Sequence, residues 1–400
     1  MFPFNEVMDF KIEMTDEHEL FRKSVREFTE SKVRPYVQKV EETNEIPQSI
    51  IDGARELGLY GVGVPEKYGG QGGDMRTLAI LTEELSRVLP SLGTMVTVNH
   101  LFLVPLMIFG TEEQKLKYIP PVAKGEKFAA HANTEPGAGS DVAGIQTRAE
   151  KNDNGYTING RKIFITNSDR AQYFIISART SPPEQGKRWK GITTFIAEKG
   201  MPGLEIGEKF KVIGLRGEQP NEVIFNNLKV PEENIVGKVG EGFKVIVTTY
   251  DYSRIIIAAQ ALGIAQGVFE LAFNYSVERK AFEKPIIGFE GVAFRISDML
   301  IKLETARLLV YWAAYLADMQ KPLFLMASSM AKTYATEVAE ELSDMAIKIH
   351  GGAGVDSATG VERYLRDSVI TTIYEGTNDI QKLTIAKTLL KLASRSVDIG

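Results

Sequence analysis

The sequence of 400 residues contains no cysteine. That absence excludes disulfides, thiolate metal sites, cysteine-ligated iron–sulfur clusters and thiol nucleophiles. It fits a reducing compartment, so a cytoplasmic protein is expected. Histidine is scarce: His18, His100, His131 and His350 are scattered without an H-x-x-x-H pair, which argues against a histidine metal centre. Cations are not in excess. Lysine plus arginine is 47 against 52 acidic residues, a formal net charge of −5, and no run exceeds two like charges. A phosphate-binding footprint for nucleic acid and a charged tail are therefore not expected. The longest apolar run, 101–109, is interrupted by Pro105 and is shorter than the about 20 residues of a membrane span, so it reads as buried core. Residues 1–6 carry no basic region leading into an apolar core, so no secretory signal is expected. No dinucleotide fingerprint, P-loop or G-x-S-x-G elbow is present.

What is present falls into three textures, an α+β multidomain pattern. Residues 1–123 read as helical: Thr15 suits an N-cap before an inner face of Phe21, Val25 and Phe28, and Gly58 suits a helix stop. A capping-box pattern starts at Thr111 and ends at Gln114. Residues 124–236 read as a mostly antiparallel, barrel-like β domain. Asn154-Gly155 and Asn159-Gly160 are hairpin-turn dipeptides, and 173–176, 192–196 and 223–225 are rich in β-branched and aromatic residues. Residues 237–400 read as a bundle of four helices, with Phe294, Ile301, Leu308 and Tyr315 repeating every seventh place and Leu262, Ala265, Phe269 and Phe273 forming a second stripe.

Three segments carry chemistry. The loop 132–141, A-N-T-E-P-G-A-G-S-D, offers Thr134 and Ser140 hydroxyls beside exposed backbone N–H groups; a ligand cradle and an ordinary turn suit it equally. The run 162–167, K-I-F-I-T-N, alternates as a strand and sets Phe164 and Thr166 on one face, fit to wall a flat ring or simply to pack. Gly351, Gly352 and Gly354 form a glycine-rich loop, and Glu375 stands between Tyr374 and Gly376 before a helix start at Thr377, either as a base on a rigid turn or as a solvated turn carboxylate.

In this order and spacing, the T-E-P-G-A-G-S-D and Y-E-G-T-N-D-I-Q runs, with G-R-K-I-F-I-T-N between them, resemble the acyl-CoA dehydrogenase family over residues 15–395. The resemblance implies FAD and an acyl-CoA substrate, with Glu375 as the base that removes the α-proton while a β-hydride passes to the flavin. It implies that the thioester oxygen meets the Glu375 N–H, with His131, Asn133, Thr134, Gly139, Ser140, Phe164, Ile165, Thr166, Thr377 and Asn378 around FAD. Arg279 and Phe282 would meet FAD bound by a neighbouring subunit, Lys348 would meet the FAD pyrophosphate, and Gly351 and Gly352 would also contact the cofactor. Ser140, Asp251, Ser253, Arg254 and Gly376 would meet the substrate, although an internal Asp251–Arg254 ion pair explains that arginine equally well.

The family commonly has glutamine at Lys348 and Glu290 and tryptophan at Phe164; lysine keeps a donor and a smaller ring keeps a flat wall. Some branches carry the base at the position of Ser253, so Glu375 favours the short-, medium- or branched-chain type. No arginine lies in 88–109, where His100 is the sole ionisable side chain, which disfavours a dicarboxylic substrate; residues 94–104 would set acyl length. The resemblance further implies electron-transfer flavoprotein as electron acceptor and a homotetramer. A reductase running the chemistry backwards, or a flavin oxidase or monooxygenase on the same fold, are the competing readings.

Overall fold

The computed structural model describes residues 12–393; the reading of residues 1–6 lies outside them. Among the described residues, seven α-helices come first: α1 (Asp16–Phe28), α2 (Val37–Thr43), α3 (Gln48–Glu56), α4 (Met75–Val88), α5 (Pro90–Thr97), α6 (His100–Phe109) and α7 (Glu112–Ala123). The local signals explain their ends. Thr15 and Thr111 both close capping boxes, with His18 and Gln114 reaching back. Gly58 adopts the left-handed conformation just past α3.

Eight strands follow: β1 (Phe128–Ala132), β2 (Arg148–Asn152), β3 (Gly155–Ile165), β4 (Ala171–Arg179), β5 (Ile192–Glu198), β6 (Leu204–Lys209), β7 (Asn221–Pro231) and β8 (Ile235–Val236). They form one sheet in the order β6-β7-β3-β2-β4-β5-β8, with β1 beside β4. Pairing is antiparallel except for β1 with β4 and the single β2–β4 bridge, which are parallel. The path has two ends, so the sheet is open. Asp153 and Asn154 form the β2–β3 turn, one residue earlier than expected, because Gly155 already pairs with Asn152. Asn159-Gly160 is no turn. It lies inside β3 at a register shift against β7, where a Cβ on Gly160 would sit 2.3 Å from the Thr147 hydroxyl.

The last part opens with the long α8 (Gly242–Glu278), continues through a small hairpin, β9 (Lys280–Ala281) and β10 (Lys284–Pro285), and adds α9 (Glu290–Asp318), α10 (Phe324–His350), α11 (Glu362–Thr371) and α12 (Asn378–Leu392). Among the described residues two segments, Pro90–Phe109 and Gly242–Glu278, are long and apolar enough to cross a membrane, yet 78% of the most apolar 18-residue stretch of each is buried within the fold. The seven-residue stripe on α9 does not form its inner face: Phe294, Ile301 and Leu308 are 63%, 65% and 51% exposed, and only Tyr315 is buried. The stripe stands two residues, about 200° around the helix, past the inward-facing set, so it points away from the core. Met299, Leu303, Ala306, Val310, Ala313 and Ala317 face inward instead, at alternating three- and four-residue steps.

A buried charge knot ties the helical parts together. Glu83 of α4 accepts from Arg22 of α1 at 2.9 Å and from Arg307 and Tyr311 of α9. Burial pushes its carboxyl up, but the two guanidiniums and the phenol outweigh that and hold it at about 2. Its contribution to stability is therefore present above the ordinary carboxylate range and fades as pH falls toward about 2. We expect Glu83→Ala, which removes the shared acceptor but leaves Arg22 with Glu84 and Arg307 with Glu304, to lower stability by about 1.5–3 kcal/mol, read as a lowered urea midpoint.

Candidate functional site

A cavity of about 850 Å³ opens where the three parts meet. Its walls come from Thr94, Thr97, Val98 and Leu101, from the loop after β1, from the end of β3, from α8, and from the turn before α12. Of the residues singled out from sequence, His131, Asn133, Thr134, Gly139, Ser140, Phe164, Ile165, Thr166, Ser253, Arg254, Glu375, Gly376 and Thr377 line it.

The loop after β1 is fixed from behind. The Glu135 carboxylate accepts from the Gln146 and Thr147 N–H groups, at 2.6 and 3.0 Å, and from the buried Lys162 ammonium at 2.8 Å. Lys162 also donates to the Asn133 carbonyl at 2.9 Å. Burial lowers Lys162 to about 8, and burial would raise Glu135 were it not outweighed by Lys162 and the donors. Thr134 and Ser140 are thus held at the cavity by a neutralised core pair. Strict alternation fails at the end of β3 because Phe164 is left-handed, with φ +57°. The twist exposes its ring, which packs on Phe210 at 4.5 Å, and Thr166 joins it on the wall from beyond the strand.

Glu375 is also left-handed, at φ +56°, followed by Gly376 at +91°. Such backbone costs about 1–2 kcal/mol for a residue with a side chain, so the surroundings must enforce it. Gln381 donates to the carbonyls of Glu375 and Gly376 at 3.2 and 3.0 Å, and Thr377 caps α12. The Glu375 carboxylate accepts from the Ser253 hydroxyl at 2.7 Å. Burial raises its carboxyl above the ordinary value, opposed by Ser253, Arg254 and Lys332. Arg254 is paired with Asp251 at 2.7 Å, as the alternative reading held, and burial pushes Asp251 up to about 6.

Asp251 does not line the cavity, and neither do Arg279, Phe282, Lys348, Gly351, Gly352 or Asn378. Phe282 is exposed on the β9–β10 hairpin that follows Arg279. Lys348 pairs with Asp344 at 2.6 Å on the surface, beside an open glycine loop, and Glu290 begins α9. Asn378 turns inward to Lys332 and Thr336. His100 faces a smaller cavity, hydrogen-bonded to the Val62 carbonyl at 2.8 Å.

Sequence reasoning missed Tyr250, Gln260 and Lys332. Gln260 donates to the Thr94 hydroxyl at 2.7 Å and accepts from Tyr374, forming a polar band on the wall. The signal for Gln260 and Lys332 was a polar residue among apolar neighbours on a buried helix, a pattern that also suits plain packing.

Profiles described as the N-terminal, middle and C-terminal domains of acyl-CoA dehydrogenase match residues 15–126, 130–228 and 240–390. The chain belongs to the acyl-CoA dehydrogenase family and is an FAD-dependent oxidoreductase. It is 42% identical to a short-chain specific acyl-CoA dehydrogenase of Clostridium acetobutylicum, over 95% of this chain and 99% of that one. It is 40% identical to the caffeyl-CoA reductase-Etf complex subunit CarC of Acetobacterium woodii, over 94% and 99% of the two chains. Among solved structures it superposes on butyryl-CoA dehydrogenase from Megasphaera elsdenii with a TM-score of 0.91 at 39% identity, covering 95% and 100% of the chains.

The cavity fits the cofactor's ring: it offers the exposed Phe164 face, the Thr134, Ser140 and Thr166 hydroxyls, and open backbone at Gly139, where a Cβ would meet nothing within 4 Å. Removing the Ser253 hydroxyl takes a donor from the ionised carboxylate alone. We expect Ser253→Ala to raise the Glu375 pKa by about 1–2 units, since such bonds are worth about 1.5–3 kcal/mol. The ascending limb of a pH–rate profile would move up with it.

Proposed function

We propose that this protein oxidises a short-chain acyl-CoA thioester to the trans-2-enoyl-CoA, with Glu375 as the α-proton base. The observation that carries this reading is a buried carboxylate, raised in proton affinity and held on a rigid turn, facing the same cavity as Phe164, Thr134 and Thr166. An α-C–H is a poor acid, and a base whose pKa is raised toward the operating pH accepts its proton more readily. Glu375 takes that proton at its carboxylate oxygen, while its backbone N–H donates to the thioester oxygen and stabilises the developing charge. FAD supplies the acceptor for the hydride that leaves the β-carbon. His131, Asn133, Gly139, Ile165 and Thr377 hold the cofactor together with the three cavity residues named above, while Asn378 braces the turn from behind. Ser140, Ser253, Arg254 and Gly376 border the substrate, with Asp251 orienting Arg254.

The short-chain specific and butyryl-CoA dehydrogenase relatives support a short acyl group. The exposed Phe294, Ile301 and Leu308 support a homotetramer, and within it Arg279, Phe282, Lys348, Gly351 and Gly352 reach the FAD of a neighbour. Electrons leave to electron-transfer flavoprotein, and the enzyme works in the cytoplasm. The reductase relative favours a second reading, the same chemistry run toward the acyl-CoA.

Anaerobic addition of butyryl-CoA to the FAD-loaded protein should bleach the oxidised flavin band. Glu375→Gln should bleach about 10²–10⁴-fold more slowly, the usual worth of a general base, while still binding the thioester. Full-rate bleaching by that variant would remove Glu375 from the mechanism. Bleaching by butyryl-CoA that crotonyl-CoA reverses only weakly would favour the oxidative direction over the reductive one.

A further inference from the structure

Lys332 stands on α10, fully buried, behind the turn that carries Glu375. Its ammonium donates to the Gly376 carbonyl at 3.0 Å and to the Asn378 side-chain oxygen at 2.9 Å. Asn378 is tied in turn to the Thr336 hydroxyl at 3.0 Å, one helical turn further along α10. Both acceptors of the ammonium are neutral. A buried cation bonded only to neutral oxygens needs a counter-charge nearby to stay ionised.

Two carboxylates act on it, Glu375 more strongly and Glu337 less. Glu337, on the same helix, is engaged at the surface by Lys382 at 2.7 Å. Arg254, from α8, is a second cation and is already paired with Asp251. Tyr250 and Tyr374 flank Glu375, and burial pushes both phenols up, so they stay neutral. Glu375 remains as the anion facing Lys332 from the turn.

We propose that Lys332 is a positioning residue for Glu375: its ammonium pins the Gly376 carbonyl and the Asn378 side chain, fixing the left-handed turn, and its charge keeps the facing carboxylate ionised and ready to accept a proton. This rests on Glu375 being the base. Burial lowers Lys332 to about 7 and Glu375 opposes that shift, so each charge sustains the other. When Glu375 takes a proton, Lys332 loses its stronger counter-ion, which favours re-ionisation of Glu375 once the product has left. Ser253 and Arg254 act on the same carboxylate from α8, so Lys332 is the support that comes from the opposite helix.

The test uses the full-length, FAD-loaded enzyme as Lys332→Met, Lys332→Arg and Asn378→Ala, with butyryl-CoA as probe. The Glu375 carboxyl band is titrated by infrared difference spectroscopy without ligand, assigned by its loss in Glu375→Gln, and the pH dependence of flavin bleaching is measured beside it. Lys332→Met should raise the carboxyl midpoint by about one pH unit or more, and the bleaching limb should follow. Lys332→Arg should return it close to the parent value. Asn378→Ala, which loosens the clamp but keeps the charge, should slow bleaching without moving the midpoint. A midpoint unchanged in Lys332→Met, or moved equally by Asn378→Ala, overturns the proposal. If the methionine variant does not fold, Lys332→Gln, which keeps a donor but no charge, carries the same expectations. Absence of bleaching in every protein, with the midpoint still shifted by Lys332→Met, would sink the proposed reaction and leave the charge coupling standing.

Discussion

The helix α8 is apolar on nearly every side, and the molecule is arranged around the need to bury it. Such a helix is stable only with neighbours all round. Here they are α10 and α9 along one flank and α4 along the other, with α6 and β5 at its start. The α4 contact is close enough to require glycine. A Cβ on Gly263 would sit 2.3 Å from the Glu83 carbonyl, and one on Gly267 would sit 2.2 Å from that of Arg87. That approach fixes the register of the two helices. It also sets Tyr250, Ser253, Arg254 and Gln260 along the stretch of α8 that meets both the sheet and the turn before α12. The cavity is a consequence of burying α8 at the junction of three parts.

Two carboxylates near that junction show how environment divides their roles. Glu135 is met by an ammonium and two backbone N–H groups, and these outweigh the effect of burial. Glu375 has a hydroxyl at one oxygen and its cations at a remove, so burial prevails and its affinity for a proton rises. The first is a structural anion that braces a loop; the second is fitted to change its protonation state. The separation of roles follows from the count and distance of charged donors, with the side-chain chemistry the same.

Much of this was legible in the sequence because it depends on local signals. The caps at Thr15 and Thr111, the stop at Gly58 and the helix–sheet–helix order all follow from short-range chemistry. The runs around Thr134 and Glu375 mark two walls of the cavity. What escaped depends on contacts distant in the chain. Gly160 reads as a turn until Thr147 is seen against it, and the α9 stripe reads as a seam until Met299 and Leu303 are seen to occupy it. Lys332 lies 43 positions before Glu375, within an alanine-rich helix, and nothing in its neighbours announces that it reaches the turn. Long-range partners of buried polar groups are the part of a site that periodicity does not reveal.

The strain at the cavity has the same logic. Phe164, Leu215 and Glu375 all line it, and all hold positive φ without being glycine. Each is braced from outside the cavity: Phe164 by Phe210, Leu215 by the Asp367 carboxylate accepting its N–H at 2.6 Å, and Glu375 by Gln381 on its carbonyl. At about 1–3 kcal/mol each, these conformations persist only because the frame over-determines them. A glycine in any of the three places would relieve the backbone but remove the side chain that faces the ligand. The frame therefore absorbs the strain during folding, so that the ring wall and the carboxylate stand in place before a ligand arrives, with little left to reorganise when charge moves.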